Sequence, residues 1–314
     1  MEKKLSVVVS VYNEEQALPM FYETTKLILE ILPWDYELLF VNDGSRDDSL
    51  SILREYAARD EKVKFVSFSR NFGHEAAMLA GLDHSIGEGI VCMDADLQHP
   101  PECVAQIIEK FEEGYEVINM VRTKNKSAGF IKNLTSSAFY KFLNKISDVK
   151  LENNASDFFA LTANAAQVLK TNYREKVRFL RGYVQNIGFN RTTIEYEARA
   201  RVAGESKYSI RKLFKFSINT ILCFSDLPLK LGIYSGIIVG FLGLLVMLET
   251  IYEWAVKGTP NGYATIVVLL CFMFAMLFVI VGIIGEYIAI LFTELKDRPI
   301  YIVHDTKGFP EKES

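Results

Sequence analysis

Two long apolar runs limit what this chain can fold into more than any other feature. Residues 231–248 (LGIYSGIIVGFLGLLVML) hold 18 residues without a charge, and residues 263–285 (YATIVVLLCFMFAMLFVIVGIIG) hold 23. About 20 apolar residues in a helix cross the roughly 30 Å of hydrocarbon in a bilayer. A backbone in lipid must satisfy its own hydrogen bonds, so each run is expected to be a transmembrane helix rather than part of a buried soluble hairpin. The flanking charges orient the pair. Lys207, Arg211, Lys212, Lys215 and Lys230 precede the first run, and Lys296, Arg298 and Lys307 follow the second, whereas Lys257 is the single cation between them. Cations favour the cytoplasmic side, which places both termini there in a multi-pass protein of the cytoplasmic membrane. The start, Met1-Glu2-Lys3-Lys4, leads straight into a strand-like run, so no cleaved leader is expected. Gly236 and Gly240 have the spacing that lets helices approach closely, either in a homo-oligomer or between the two spans of one chain.

The first 180 residues read differently, mixing charge and hydrophobicity as a water-facing domain does. Short β-branched runs at residues 5–11, 36–42, 63–67, 89–94 and 117–121 alternate with helix-period segments near 15–32, 47–59, 74–85 and 101–113. That alternation predicts an α/β fold around a parallel sheet. Ligands of such sheets bind beyond the carboxyl ends of the strands. The sequences there are Tyr12-Asn13-Glu14-Glu15, Asn42-Asp43-Gly44-Ser45 and Asp94-Ala95-Asp96, all polar and acidic. There is no Gly-x-Gly-x-x-Gly after the first strand and no Gly-Lys-Ser/Thr loop, which argues against a dinucleotide dehydrogenase and a P-loop hydrolase. A net charge of −4 gives no reason to expect nucleic acid, and the four cysteines show neither metal nor disulfide spacing.

Asp94 and Asp96 pose a physical problem. Like charges this close repel, and desolvating either without a partner costs several kcal/mol. One of them could simply cap the helix after Pro100-Pro101. A divalent cation resolves the repulsion more completely: Mg²⁺ is commonly held by one or two carboxylates together with substrate phosphates. Strand, Asp-x-Asp, helix therefore suggests chemistry on a nucleotide diphosphate. Asp157, in Ser156-Asp157-Phe158-Phe159, is a further acidic candidate, with a helix cap as its plain alternative.

The runs VSVYNEE (9–15), VNDGSRDDS (41–49) and DADLQHPPE (94–102) resemble the inverting nucleotide-sugar glycosyltransferases of family 2, which have the GT-A fold. Later runs narrow the likeness. SDFFAL, RGYVQNIGF, RVAGESKYS, FSDLPLKLG and GEYIAILFTELKDRPIYIV are similar to the polyprenyl-phosphate glycosyltransferases, bactoprenol glucosyltransferase and more distantly dolichyl-phosphate mannose synthase among them. The resemblance runs from about residue 5 to residue 303. It implies a Rossmann-like GT-A catalytic domain with a mostly parallel sheet over 1–208 and an amphipathic segment over 209–230, where Ile210, Leu213, Phe214, Ile218, Ile221 and Leu222 share a face. Two transmembrane helices over 231–290 and a cytoplasmic tail over 291–314 complete the organisation.

Carried residue by residue, the resemblance gives Tyr12 and Glu14 to the nucleotide pocket and Asp43 to the base. Asp94 and Asp96 take a Mg²⁺ or Mn²⁺ ion and the diphosphate, with Gln98 assisting, and Asp157 lies by the reacting sugar. Arg201, Ser206 and Lys207 belong to a loop that closes over phosphate. The implied reaction moves a hexose, first of all glucose from UDP-glucose, to undecaprenyl phosphate; UDP-N-acetylglucosamine, UDP-galactose and GDP-mannose are the other donors to weigh. The chain departs from the family at Phe159, where an arginine is frequent, and at Ala198, another arginine position, which bears on the donor sugar and one phosphate contact. A processive polysaccharide synthase would show Gln-x-x-Arg-Trp, but the tryptophans are Trp34 and Trp254. A membrane-anchored nucleotide-sugar sensor without activity would have no need of Asp43, Asp94, Asp96 and Asp157 together.

Overall fold

The computed structural model describes residues 3–123, 152, 155–199, 227–258 and 262–309. The Arg201, Ser206 and Lys207 loop, and residues 209–226 of the amphipathic segment, lie outside the described residues. The chain divides into two compact units: residues 1–216 with 298–314, and residues 217–297.

The first unit is built on β1 (Lys4–Val11), α1 (Leu18–Leu29), β2 (Asp35–Asn42), α2 (Ser49–Arg59), β3 (Val63–Phe68), α3 (His74–His84), β4 (Gly89–Asp94), α4 (Cys103–Glu112) and β5 (Val117–Arg122). Then follow β6 (Ala155–Thr162), α5 (Ala163–Asn172), α6 (Leu180–Asn186) and β7 (Arg191–Tyr196). The strands form one eight-stranded sheet in the order β7-β5-β6-β4-β1-β2-β3-β8, where β8 is Val303–Lys307. The core β4-β1-β2-β3 is parallel, which suits its mainly apolar, buried strands. Val7, Val8 and Val9 in β1 are fully buried, as are Leu39, Phe40 and Val41 in β2. Each such side chain stabilises the fold by about 1.5–3 kcal/mol.

The sheet is mixed, because β6 runs antiparallel to both β4 and β5. Periodicity gave no warning of β6, β7 or β8. Asp157 is the third residue of β6 and caps no helix; α5 is capped instead by Thr162, whose side chain accepts from Ala165 N. No aspartate caps α4 either, since its N-cap is Glu102, without a side-chain bond.

Two close approaches fix the helices and loops on the sheet. A Cβ on Gly81 would meet Val8 Cγ1 at 2.0 Å, so α3 lies against β1 at a distance only glycine permits. Gly44, at φ +64°, would bring a Cβ to 2.3 Å from the carbonyl carbon of Arg70, so the loop after β2 lies against the loop after β3.

The last described residues join this same unit. β8 pairs antiparallel with β3, Tyr301 stacks on Phe68 at 5.0 Å, and its hydroxyl donates to Asp83 Oδ2 at 2.7 Å. Arg54 pairs with Asp305 at 2.6 Å, covering an edge strand that would otherwise present unpaired backbone.

The second unit holds α7 (Leu227–Lys257) and α8 (Tyr263–Leu295). Both are long and apolar enough to cross a membrane, with candidate spans at Gly232–Val256 and Phe272–Leu295. Their large apolar side chains face outward: Ile233, Phe241, Phe278 and Leu291 are each 60 % exposed or more. Contiguous apolar surface of that extent marks contact with lipid or protein. α7 approaches α8 at Gly232, beside Ile280, while nothing lies within 4 Å of a Cβ placed on Gly236 or Gly240.

Candidate active site

The parallel register lines up the carboxyl ends of β1, β2 and β4. Ser10 sits opposite Asp94 and Val11 opposite Asn42, so Tyr12, Asp43 and Asp94 reach one edge of the sheet. Asn13 turns the chain there with φ 55°, its amide hydrogen-bonds Ser45 Oγ, and the amide of Glu14 donates to Ser49 Oγ. The two loops are thereby knitted together.

Asp43 is 2 % exposed. Its Oδ1 accepts from Phe72 N at 2.6 Å, and its Oδ2 from Gly73 N and Asn71 Nδ2 at 2.9 and 2.8 Å. Burial pushes this carboxyl up, while the Phe72 and Gly73 amides oppose the shift. It is the clamp that fixes residues 71–73, and so sets the start of α3. Its Oδ1 keeps a lone pair for a further donor.

Asp94 ends β4 partly exposed, and Asp96 is buried two residues on. Leu97, at φ 59°, bends the chain so that Gln98 N donates to Asp96 Oδ1 at 3.0 Å. His99 is 1 % exposed and holds the loop from behind. Its Nδ1 accepts the Asp94 amide at 3.0 Å, and its ring stacks on Phe158 at 5.0 Å. With Nδ1 accepting, the neutral ring carries its proton on Nε2; burial lowers its pKa and keeps it neutral.

His74, the first residue of α3, lies between the acidic groups. Its Nδ1 is 3.0 Å from Ser10 Oγ and 3.6 Å from Asp94 Oδ1, and its Nε2 is 3.8 Å from Asp157 Oδ2. Ser10 has one hydroxyl hydrogen, which goes to Asp94 Oδ1 at 2.9 Å. The Nδ1 atom must therefore be the donor to Ser10. Burial lowers the His74 pKa, but Asp94, then Asp157 and Glu75, more than reverse this, and the ring ends above its ordinary value. A protonated ring gives both nitrogens a hydrogen to offer, one to Ser10 and one toward Asp157.

Asp157 is gripped from its other side by Arg181 Nε, 3.2 Å from Oδ1. Burial alone would raise its pKa; Arg181 first, then His74 and Arg122, outweigh that and hold it below the ordinary carboxylate value. Asp157 is thus an ionised, oriented carboxylate. Arg122, at the end of β5, donates to Tyr196 Oη at 2.9 Å and supplies a further positive charge.

Sequence reasoning missed His74, Glu75, His99, Arg122 and Arg181. The segment after β3, Ser69-Arg70-Asn71-Phe72-Gly73-His74, carried a signal, because β3 is the fourth parallel strand reaching the same edge. Near the Asp96–His99 loop, Pro100, Glu102, Glu197, Ala198 and Arg199 line a cavity of about 490 Å³. Arg199 is engaged there with Glu102 at 2.9 Å.

Among the described residues no three His, Cys, Asp or Glu side chains are grouped to hold a metal by themselves. Two hard carboxylates one residue apart, one buried and one partly open, fit a cation that takes its remaining ligands from a diphosphate.

The profile of glycosyl transferase family 2 matches residues 6–167, the stretch that carries all of these carboxylates. The chain belongs to glycosyl transferase family 2. It is 42 % identical over 308 residues to an uncharacterized glycosyltransferase, YkcC, of Bacillus subtilis (strain 168), covering 98 % of this chain and 95 % of that protein. It is 36 % identical over 301 residues to the SfII prophage-derived bactoprenol glucosyl transferase of Shigella flexneri, with 96 % and 97 % covered. A prophage bactoprenol glucosyl transferase homolog of Escherichia coli (strain K12) is 35 % identical over 305 residues, with 97 % and 99 % covered. As a family 2 glycosyltransferase, the protein has the mixed α/β sheet of the GT-A type.

Proposed function

We propose that this glycosyltransferase moves glucose from UDP-glucose to a polyprenyl phosphate at the cytoplasmic face of a membrane, inverting the anomeric carbon. The observation that carries the reading is the match over nearly the whole chain, apolar helices included, to proteins described as bactoprenol glucosyl transferases. A lipid acceptor suits a catalytic unit joined to two apolar helices.

Tyr12, Glu14 and Asp43 line the nucleotide pocket. Asp94 and Asp96, with Gln98, hold the diphosphate through Mg²⁺ or Mn²⁺. When bound, the cation offsets the negative charge that grows on the departing UDP. The acceptor needs no general base: a phosphate monoester has a second pKa of about 6 and is mostly dianionic at neutral pH. Its oxygen forms the new bond to the anomeric carbon as the bond to UDP breaks, and the electron pair leaves with UDP. Asp157, held ionised by Arg181 and His74, orients the sugar or the acceptor rather than removing a proton. Arg201, Ser206 and Lys207 draw the acceptor phosphate in.

The same organisation as in the sequence is proposed: a catalytic domain to 208, a juxtamembrane segment to 230, two spans to 290 and a cytoplasmic end. β8 supports the even number of crossings, because the chain after α8 returns to the sheet it left. The open flank at Gly236 and Gly240 suits a second copy in a homo-oligomer, and native-membrane cross-linking that finds only monomer would remove that part.

The deciding experiment incubates membranes containing the protein with each radiolabelled nucleotide sugar and separates the lipids by thin-layer chromatography. UDP-glucose should yield a labelled, mild-acid-labile lipid. Label entering only from UDP-N-acetylglucosamine, UDP-galactose or GDP-mannose would reassign the donor, and none from any would defeat the reading.

A further inference from the structure

Asp157 is held by two groups on two helices, and a third residue ties those helices together directly behind the grips. His74 opens α3 with Nε2 at an ion-pair distance of 3.8 Å from Asp157 Oδ2, while Arg181, second in α6, has Nε 3.2 Å from Oδ1. Arg181 is itself fixed by a bond from Nη1 to Ala155 O at 2.8 Å and by the Phe179 ring, 5.3 Å away. Glu75 follows His74, and Leu180 precedes Arg181. The Leu180 amide donates to Glu75 Oε1 at 3.2 Å, across 105 residues of sequence.

The choice of an acid for this tie is costly. Glu75 is the second residue of a helix whose next seven residues, Ala76 to Leu82, are all buried, and the charges acting on it include Asp157. A neutral amide would accept the same hydrogen bond without placing a second carboxyl beside the first.

We propose that Glu75 is a positioning residue for sugar transfer: by holding Leu180 it sets the spacing of His74 and Arg181, and through them the orientation of the Asp157 carboxylate. The inference rests on the assignment of Asp157 to the transfer step. The groups facing Glu75 are Asp157 from β6, His74 from its own helix, and Arg178 and the Leu180 amide from the segment entering α6. Burial first, then Asp157, push Glu75 up to about 7, against His74, the Leu180 amide and Arg178. Below that value Glu75 is a neutral brace. Above it, a second negative charge adjoins Asp157 and opposes the approach of an anionic acceptor.

The test compares the full-length protein with Glu75→Gln, which keeps the acceptor and drops the charge, and Glu75→Ala, which drops both. Glu75→Ala should lower kcat by about ten-fold or more. Its KM for UDP-glucose and its calorimetric affinity for UDP with Mn²⁺ should be unchanged, which also shows that it folds. Hydrogen exchange at the Leu180 amide should quicken in Glu75→Ala and stay slow in Glu75→Gln. Glu75→Gln should restore kcat and lack the wild type's decline above pH of about 7. Full kcat in Glu75→Ala, equal damage in both variants, a loss confined to KM, or identical pH profiles for wild type and Glu75→Gln would each overturn the proposal. A wild type that makes no glucosylated lipid, or an Asp157→Asn variant with full activity, would defeat the functional reading instead. Exchange at Leu180 then still decides whether Glu75 is the tie.

Discussion

At the residue scale the proposed reading divides the labour between two acidic sites, and substitution should separate them. Asp96→Asn should weaken metal-dependent binding of UDP-glucose in calorimetry, as a chelator should with the unmodified protein. Asp157→Asn keeps its shape and should still bind UDP with metal, yet form lipid product about 10² times more slowly or worse. Equal losses of binding in both would make Asp157 a donor-site residue. Glu75 offers a check that needs no substrate. Its folded pKa, about 7, lies above the ordinary 4.5, so folding takes up a proton between those values. Stability is then fully present at the acid end and is lost as pH rises toward 7. Thermal unfolding should show Glu75→Gln matching wild type at the acid end and exceeding it by a few degrees on the alkaline side. The aspartates were legible in the sequence because an Asp-x-Asp at a strand end is locally conspicuous. His74 and Arg181 were not, because each becomes meaningful only beside Asp157, and 80 or more residues separate His74 from it in the chain. No periodicity carries that juxtaposition.

At the element scale the parallel core was legible and the flanking strands were not. β1 to β4 announce themselves as β-branched runs with regular helical spacing. β6 carries Asp157 and Ser156 among its apolar residues, and β7 alternates weakly, so neither resembles a buried strand until its neighbours are known. β8, VHDTK, is polar and mostly exposed, and only the open edge of β3 makes it a strand. Its docking is nonetheless specific. Tyr301 anchors it to Asp83 at the end of α3 opposite His74, and Asp83 also pairs with Arg174 at 2.8 Å. Tyr301→Phe should therefore cost about 1 kcal/mol of stability, read as a lower unfolding midpoint of the purified protein. Removing residues 298–314 should do far more, exposing β3 and giving aggregated protein on detergent extraction. A soluble, active truncation would show that β8 is dispensable.

At the scale of the whole molecule the sequence orders its parts by where charge is excluded, and the sheet adds a constraint that composition lacks. A reporter fused at Asn261 should read as extracytoplasmic, with reporters at either terminus cytoplasmic; a cytoplasmic signal at Asn261 would sink the two-span topology. The pairing of β8 with β3 also sets a schedule for synthesis. Strand β3 is made before both apolar helices, and its partner β8 after them. Until β8 follows, the nascent chain displays an unfinished sheet edge at β3. The sheet is thus complete only after both apolar helices have been made, and a chain stopped before β8 keeps an open edge that can pair with other chains.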